Sequence, residues 1–325
     1  MFDAIWGCIP FLHGTSTALS LHFLNDHEIL KSKGKNVEHP RNTVPILAIN
    51  YFRKLIKPWT FLAMTFAWSW LFLIIAELLN QPVDALPIVI LRILSGMGPM
   101  LAAILLLYIS KNVEIRKDYW HRLLSFKRIS SPWYLVIILL PPILTGLSAI
   151  FDLALGGEGI ALEAAFEFTS HPLTIFPYII FILFFGPVPE EMGWRGYALD
   201  GLQDQFSALH ASLILGVAWS LWHLPLFFLE GTYQANLGIG SLSFWLYLIV
   251  ILPQTILMTW IFNNNRRSTL SAVLFHFMIN FTGELFVLSE RAEIFLVLFW
   301  MLSSLLIIII WGSQHFVREK KGPHL

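Results

Sequence analysis

Long apolar runs alternate with short polar stretches along most of this chain. Beyond residue 57 the runs fall at about 59–79, 89–109, 133–152, 173–188, 209–229, 243–262, 269–288 and 293–312. Each is near the ~20 residues that an α-helix needs to cross the hydrocarbon core of a bilayer. The pattern predicts an all-α fold, a polytopic transmembrane helical bundle of about eight spans. Two spans carry helix breakers: Pro141-Pro142 in the third, and Pro177, Pro187 and Pro189 in the fourth. Proline inside a membrane helix is tolerated where neighbouring groups satisfy the freed carbonyls. The third span is expected to be broken at its proline pair. The fourth is expected to continue past Pro189 as a second, more polar helical piece.

The polar stretches between the runs set the orientation. Basic residues cluster in the N-terminal arm (Lys31 to Lys57) and in the loops after spans two, four and six. They recur in the tail at Arg318, Lys320 and Lys321. Of the 21 Lys and Arg, all but Arg92 and Arg291 fall on this one side. The opposite loops carry Asp84, Glu158, Glu163, Glu167 and Glu230. Cytoplasmic loops are the ones enriched in Lys and Arg, so both termini are expected in the cytoplasm. Dropping one span would scramble this alternation. Residues 1–57 read as a poorly ordered or interfacial arm, 58–313 as the membrane-embedded domain, and 314–325 as a basic cytoplasmic tail. The sequence shows no internal repeat, which weakens a reading as a transporter built on inverted repeats.

Composition agrees with a membrane protein. Of 325 residues, 56% are hydrophobic and 13% charged, against about a quarter charged in soluble domains. The net charge is zero, so bulk electrostatics point to no nucleic-acid partner. Cys8 is the only cysteine, which leaves no internal disulfide and no cysteine-based metal cluster.

Ionisable side chains within spans are costly and are functional candidates by default. Three places hold them. Glu190 and Glu191 follow the apolar fourth run, with Arg195 one turn later. His223 lies in the fifth span, four residues after Trp219. His276 and Asn280 share the seventh. Residues i and i+4 stack on one helix face, so Glu191 can pair with Arg195 and His276 can present with Asn280. Glu190 is rotated about 100° from Glu191 and is left to point elsewhere. Each feature alone has an ordinary structural reading, as an interfacial ion pair, a hydrogen-bonded core histidine or interhelical glue. Together they form a hydrolase inventory: a carboxylate to activate water, imidazoles to ligate or carry protons, and donors for an oxyanion. A non-catalytic immunity or scaffold protein and a proton-coupled transporter are the competing classes.

In order along the chain, Glu190-Glu191-x-x-x-Arg195, Trp219-x-x-x-His223 and His276-x-x-x-Asn280 resemble the motif set of the CPBP intramembrane protease family. That family includes type II CAAX prenyl endopeptidases and bacteriocin-processing or immunity (Abi) proteins. The segment GMGPMLAA (96–103) is similar to a Gly-Pro-small segment on the family's second span. The resemblance covers roughly residues 60–290. Trp219 stands where Phe is more usual; either ring can pack on a histidine.

The resemblance implies a membrane-embedded endopeptidase opening to the cytoplasmic side. It implies Glu190 as general base with His223, and His276 and Asn280 as oxyanion donors. Glu191, Arg195 and Trp219 would hold the geometry. One version of the chemistry places Zn²⁺ on Glu190, His223 and His276; the other uses no metal. No HExxH helix is present. The partners implied are membrane lipid and a protein or peptide substrate, lipidated in the CAAX case. The location implied is the bacterial cytoplasmic membrane, as an integral multi-pass protein.

Overall fold

The computed structural model describes residues 57–317. The arm expected over 1–57, save Lys57, and the end of the tail lie outside the described residues. All eight apolar runs form helical segments. They are α1 (Pro58–Leu79), a bent pair α2 (Leu86–Gly96) and α3 (Gly98–Ile109), then α4 (Val113–Leu124) on the basic side, and α5 (Ser131–Ala154). A short α6 (Glu163–Ser170) precedes α7 (Ile175–Phe185), α8 (Pro187–Gly193), a π-helical turn at Trp194–Ala198 and α9 (Leu199–Gln203). There follow α10 (Ala208–Trp222), α11 (Tyr233–Leu237), α12 (Leu242–Asn264), α13 (Thr269–Leu285) and α14 (Glu290–Trp311). Six of these segments are long and apolar enough to cross a membrane, or seven if α2 and α3 count as one span. The eighth, α13, has 17 residues and falls short of that length. A two-residue pairing of Ile160–Ala161 with Val287–Leu288 ties two loops on the acidic side.

The two proline-bearing spans behave differently. The third is not broken: α5 runs through both Pro141 and Pro142 as one helix of 24 residues. The rest of the helix keeps its ladder, and the bonds lost to the two imino nitrogens do not interrupt it. The fourth is broken, and it continues past Pro189 as expected. Gly186 leaves helical geometry at φ −137°, ψ −92°. The chain then restarts at Pro187, widens at Trp194–Ala198, and ends at Gln203.

Small residues let the broken fourth span approach the bent second one. A Cβ on Gly193 would lie 2.5 Å from Pro99 Cβ and 2.7 Å from its carbonyl carbon and oxygen. At Gly98 a Cβ would lie 2.1 Å from Ser69 Oγ, whose hydroxyl donates to Ser95 O at 2.7 Å. GMGP and the segment after the two glutamates thus meet backbone to backbone, and this contact fixes the depth of α8.

Burial is concentrated on the basic side of the bundle. Every residue from Pro189 to Leu202 is buried, as is α12 from Ile251 to Phe262 apart from Leu252. Below them α4 closes the bundle. Tyr119 Oη donates to Met192 O at 2.9 Å. Arg122 donates to Asp200 Oδ2 at 2.7 Å and to Gly196 O at 2.8 Å. Arg267 Nε donates to Asp200 Oδ1 at 2.8 Å.

Candidate active site

The three polar places named from sequence come together around one side chain, Trp219. Its indole N–H donates to Glu190 Oε2 at 2.7 Å. Its ring meets the His276 ring edge-on at a centroid distance of 5.0 Å. The Arg195 guanidinium carbon lies over it at 4.9 Å. Its carbonyl accepts from His223 Nδ1 at 2.8 Å. Trp219 was expected only to lay its ring against His223. The structure gives it more: it is the hydrogen-bond donor that orients Glu190, a part that a Phe ring cannot play.

The two adjacent glutamates separate as their helical spacing predicts. Glu191 Oε1 and Oε2 accept from Arg195 Nη1 at 2.8 and 3.0 Å, and both side chains are fully buried. Glu191 Oε1 also accepts from His276 Nδ1 at 2.9 Å. That contact ties the seventh span to the fourth, which sequence spacing could not show. Glu190 points away from this cluster. It retains 8% exposure and His223 9%, against 0% for Glu191 and Arg195. The acid and imidazole on the reactive side are the wetter ones. The pair that supports them is dry.

The hydrogen bonds assign tautomers. His223 Nδ1–H is spent on the Trp219 carbonyl, so its Nε2 carries a lone pair and can accept a proton. His276 Nδ1–H is spent on Glu191, and its Nε2 faces away from that carboxylate. The bond to one ring nitrogen sets the role of the other. Asn280 lies one turn beyond His276 on α13. A Cβ at Gly186 would sit 3.6 Å from its Nδ2. The amide therefore reaches the break between α7 and α8, where the Glu190 N–H donates to Gly186 O at 3.2 Å. The glycine leaves room for the amide at the point where the backbone turns.

Among the described residues no three His, Cys, Asp or Glu side chains stand together as a group that could hold a metal ion. Glu190, His223 and His276 approach one another through Trp219 rather than around a common point.

Sequence reasoning did not assign Tyr119, Asp200 and Tyr247. Tyr119 and the Arg122–Asp200 pair brace the segment just after the glutamates. Asp200 ends the same polar piece as Glu190, and that shared piece was the available signal. The Tyr247 ring packs edge-on against His223 at 5.7 Å, and its hydroxyl accepts from Gln234 Nε2 at 3.1 Å. Tyr247 sits in an apolar run with no local pattern to mark it.

The same segment carries the resemblance to known proteins. The family described as type II CAAX prenyl endopeptidase Rce1-like matches residues 172–282, which include all seven of the site residues named from sequence. CAAX prenyl protease 2 of Methanococcus maripaludis is 36% identical over 201 residues, covering 61% of this chain and 73% of the relative. Together with the apolar helices, this identity and coverage show that the chain is an integral, multi-pass membrane protein that belongs to the type II CAAX prenyl endopeptidase family of proteases.

Proposed function

We propose that this protein is an intramembrane endopeptidase that hydrolyses a peptide bond of a membrane-associated protein or peptide, using water activated by Glu190 without a metal ion. The observation that carries this reading is the meeting of Glu190, His223 and His276 on Trp219. Groups that act on one reacting centre must lie within hydrogen-bond reach of it, directly or through one water.

The chemistry follows from the free atoms. With Oε2 held by the indole, Glu190 Oε1 is left to accept a proton from water. The water oxygen attacks the scissile carbonyl carbon and forms the tetrahedral intermediate. Its oxyanion is met by Asn280 Nδ2–H and by His276 Nε2–H, the latter when the ring is doubly protonated against Glu191. Preorganised donors aimed at a developing oxyanion are typically worth about 10²–10³ in rate. The C–N bond then breaks. The proton taken from water passes to the leaving amine, from Glu190 or through His223 Nε2. Glu191 and Arg195 hold His276 in place and do not touch the substrate. The metal version of the chemistry would need Glu190, His223 and His276 gathered around one point, so no step is assigned to it.

The substrate is a CAAX-type or bacteriocin-related polypeptide, lipidated in the first case, and the membrane is the bacterial cytoplasmic membrane. The test is cleavage of a peptide library by detergent-purified protein. Glu190→Gln, His223→Ala and His276→Ala should each abolish cleavage while the protein remains folded. Full activity in the Glu190→Gln protein defeats the reading.

A further inference from the structure

The sixth span, α12, borders the site and carries two polar groups that no step of the reaction uses. Gln254 is the thirteenth of its 23 residues, at the middle of the helix. It is buried, and its amide makes no hydrogen bond among the described residues, yet that amide is not fully enclosed. Other polar side chains of the same helix are satisfied. Thr255 and Thr259 donate to Ile251 O at 2.7 Å and to Thr255 O at 2.9 Å. Asn263 and Asn264 donate to His315 O at 2.9 Å and to Phe316 O at 2.7 Å. A buried polar group without a partner is costly and rare, so Gln254 calls for an explanation. Its carbonyl and its two N–H donors are all free.

Tyr247 lies seven residues earlier, two helical turns away, and so shares the face of Gln254. Its hydroxyl accepts from Gln234 Nε2, and its own proton has no acceptor among the described residues. The bond from Gln234 occupies a lone pair and leaves the O–H to point elsewhere. The ring meets His223 edge-on. Ser220 Oγ donates to Leu248 O at 2.9 Å, which locks this turn of α12 to α10. At the other end of the stripe, α12 and α13 pack together and run antiparallel from the turn at 265–268. Gln254 lies 10 residues before the end of α12, and His276 and Asn280 lie 7 and 11 residues after the start of α13. At equal rise per residue, Gln254 falls between His276 and Asn280 in depth. The stripe thus runs from His223 to the oxyanion donors.

We infer that Tyr247 and Gln254 are substrate-binding residues, which grip the main chain of a polypeptide lying extended along α12. Seven residues of helix separate the two groups by about 10.5 Å along the axis. An extended chain advances about 3.3–3.4 Å per residue, so that distance is about three residues of substrate. Tyr247 O–H donates to one substrate carbonyl. The Gln254 amide pairs with a peptide group about three residues away, donating to its carbonyl and accepting from its N–H. The scissile bond lies between the two grips, over His223 and beside His276 and Asn280. The inference rests on the protease reading for the nature of its ligand.

The test measures binding and turnover separately on the full chain purified in detergent. The probes are a fluorescent pool of randomised decapeptides and the same pool N-methylated along its main chain. Binding is read by anisotropy in the inactive Glu190→Gln protein, the parent for this measurement. Gln254→Leu should weaken binding of the unmethylated pool about 3- to 10-fold, the worth of a neutral hydrogen bond. N-methylation should weaken binding to the parent and cost distinctly less in Gln254→Leu, because the two changes remove one shared contact. The melting temperature of Gln254→Leu should not fall, since the amide bonds no protein group; if that variant does not fold, Gln254→Met takes its place. Tyr247→Phe should weaken binding by a similar factor and, in the active protein, raise KM with kcat unchanged, as loss of binding common to ground and transition states does. An equal cost of N-methylation with and without Gln254, unaltered binding by Tyr247→Phe, or no binding by the parent overturns the inference. Binding that follows the expected pattern, with no cleavage by the wild-type protein, defeats the protease reading and leaves the stripe standing.

Discussion

The indole N–H of Trp219 donates to Glu190 Oε2 at 2.7 Å, across the interface between the fourth and fifth spans. This single contact converts a glutamate without a partner on its own helix into a carboxylate with one fixed and one available oxygen. Trp219→Phe keeps an aromatic surface for His276 and Arg195 and removes only the donor. A hydrogen bond to a charged group is worth about 1.5–3 kcal/mol, so kcat should fall about 10- to 100-fold. KM and melting temperature should change little, because the ring still fills its place. Steady-state kinetics on the purified protein decide this, and an unaltered kcat would remove Trp219 from the positioning of the base.

Glu190 and Glu191 are neighbours with opposite relations to stability. Glu191→Gln strips the fully buried Arg195 of its counter-charge and His276 of its acceptor. Leaving a buried charge uncompensated costs about 3–5 kcal/mol. Glu190→Gln removes a buried carboxylate that has no ion-pair partner on its own helix and leaves an amide that can still accept from the indole. The expected outcome in detergent melts is a large drop for Glu191→Gln and a small change for Glu190→Gln, although both are inactive. Equal melting temperatures for the two would contradict this division of labour.

Gly193 is required by contact rather than by backbone angle. An alanine methyl there would meet Pro99 backbone at 2.7 Å, where no flexible side chain can yield. Overpacking of this kind typically costs about 1–3 kcal/mol. Gly193→Ala should lower the melting temperature and also reduce activity, because it pushes α8 away from α3 and so shifts Glu190 relative to the Trp219 indole. Gly146→Ala is the control, since a Cβ there meets nothing within 4 Å. If both variants melt alike, the close approach of α3 and α8 is not what holds the catalytic helix.

Asp200 neutralises two arginines from separate elements, Arg122 of α4 and Arg267 in the turn before α13. Asp200→Asn leaves Arg122 with the half-exposed Asp118 as its remaining ion-pair partner, at 3.2 Å, beside its bond to Gly196 O. A loss of about 3 kcal/mol is expected, at the lower end for a broken buried pair. Activity at low temperature should survive, because the cluster lies below the site rather than within it. Thermal melts and cleavage at two temperatures separate these effects.

Chelators test the metal question directly. No three ligating side chains gather around one point among the described residues. Cleavage by purified protein should therefore persist after prolonged treatment with a strong divalent-metal chelator. Loss of cleavage restored by added Zn²⁺ would show that Glu190, His223 and His276 close around an ion.

Much of this architecture was written along the chain. Helix formation in a bilayer is local, because each span must satisfy its own backbone groups within itself. Apolar run length alone therefore located eight helical segments, and the i,i+4 rule paired Glu191 with Arg195. The continuity of the fourth span past Pro189 was legible for the same reason. The through-helix at Pro141-Pro142 was not, since whether a proline breaks a helix depends on the packing around it. Contacts between spans are set by tertiary packing, which no local spacing encodes. Tertiary structure alone decided that His276 leans on Glu191 and that Trp219 holds Glu190. The order of charges along the chain names the cytoplasmic side, but only packing in three dimensions shows that α4 on that side bonds to the backbone of the segment just after the glutamates.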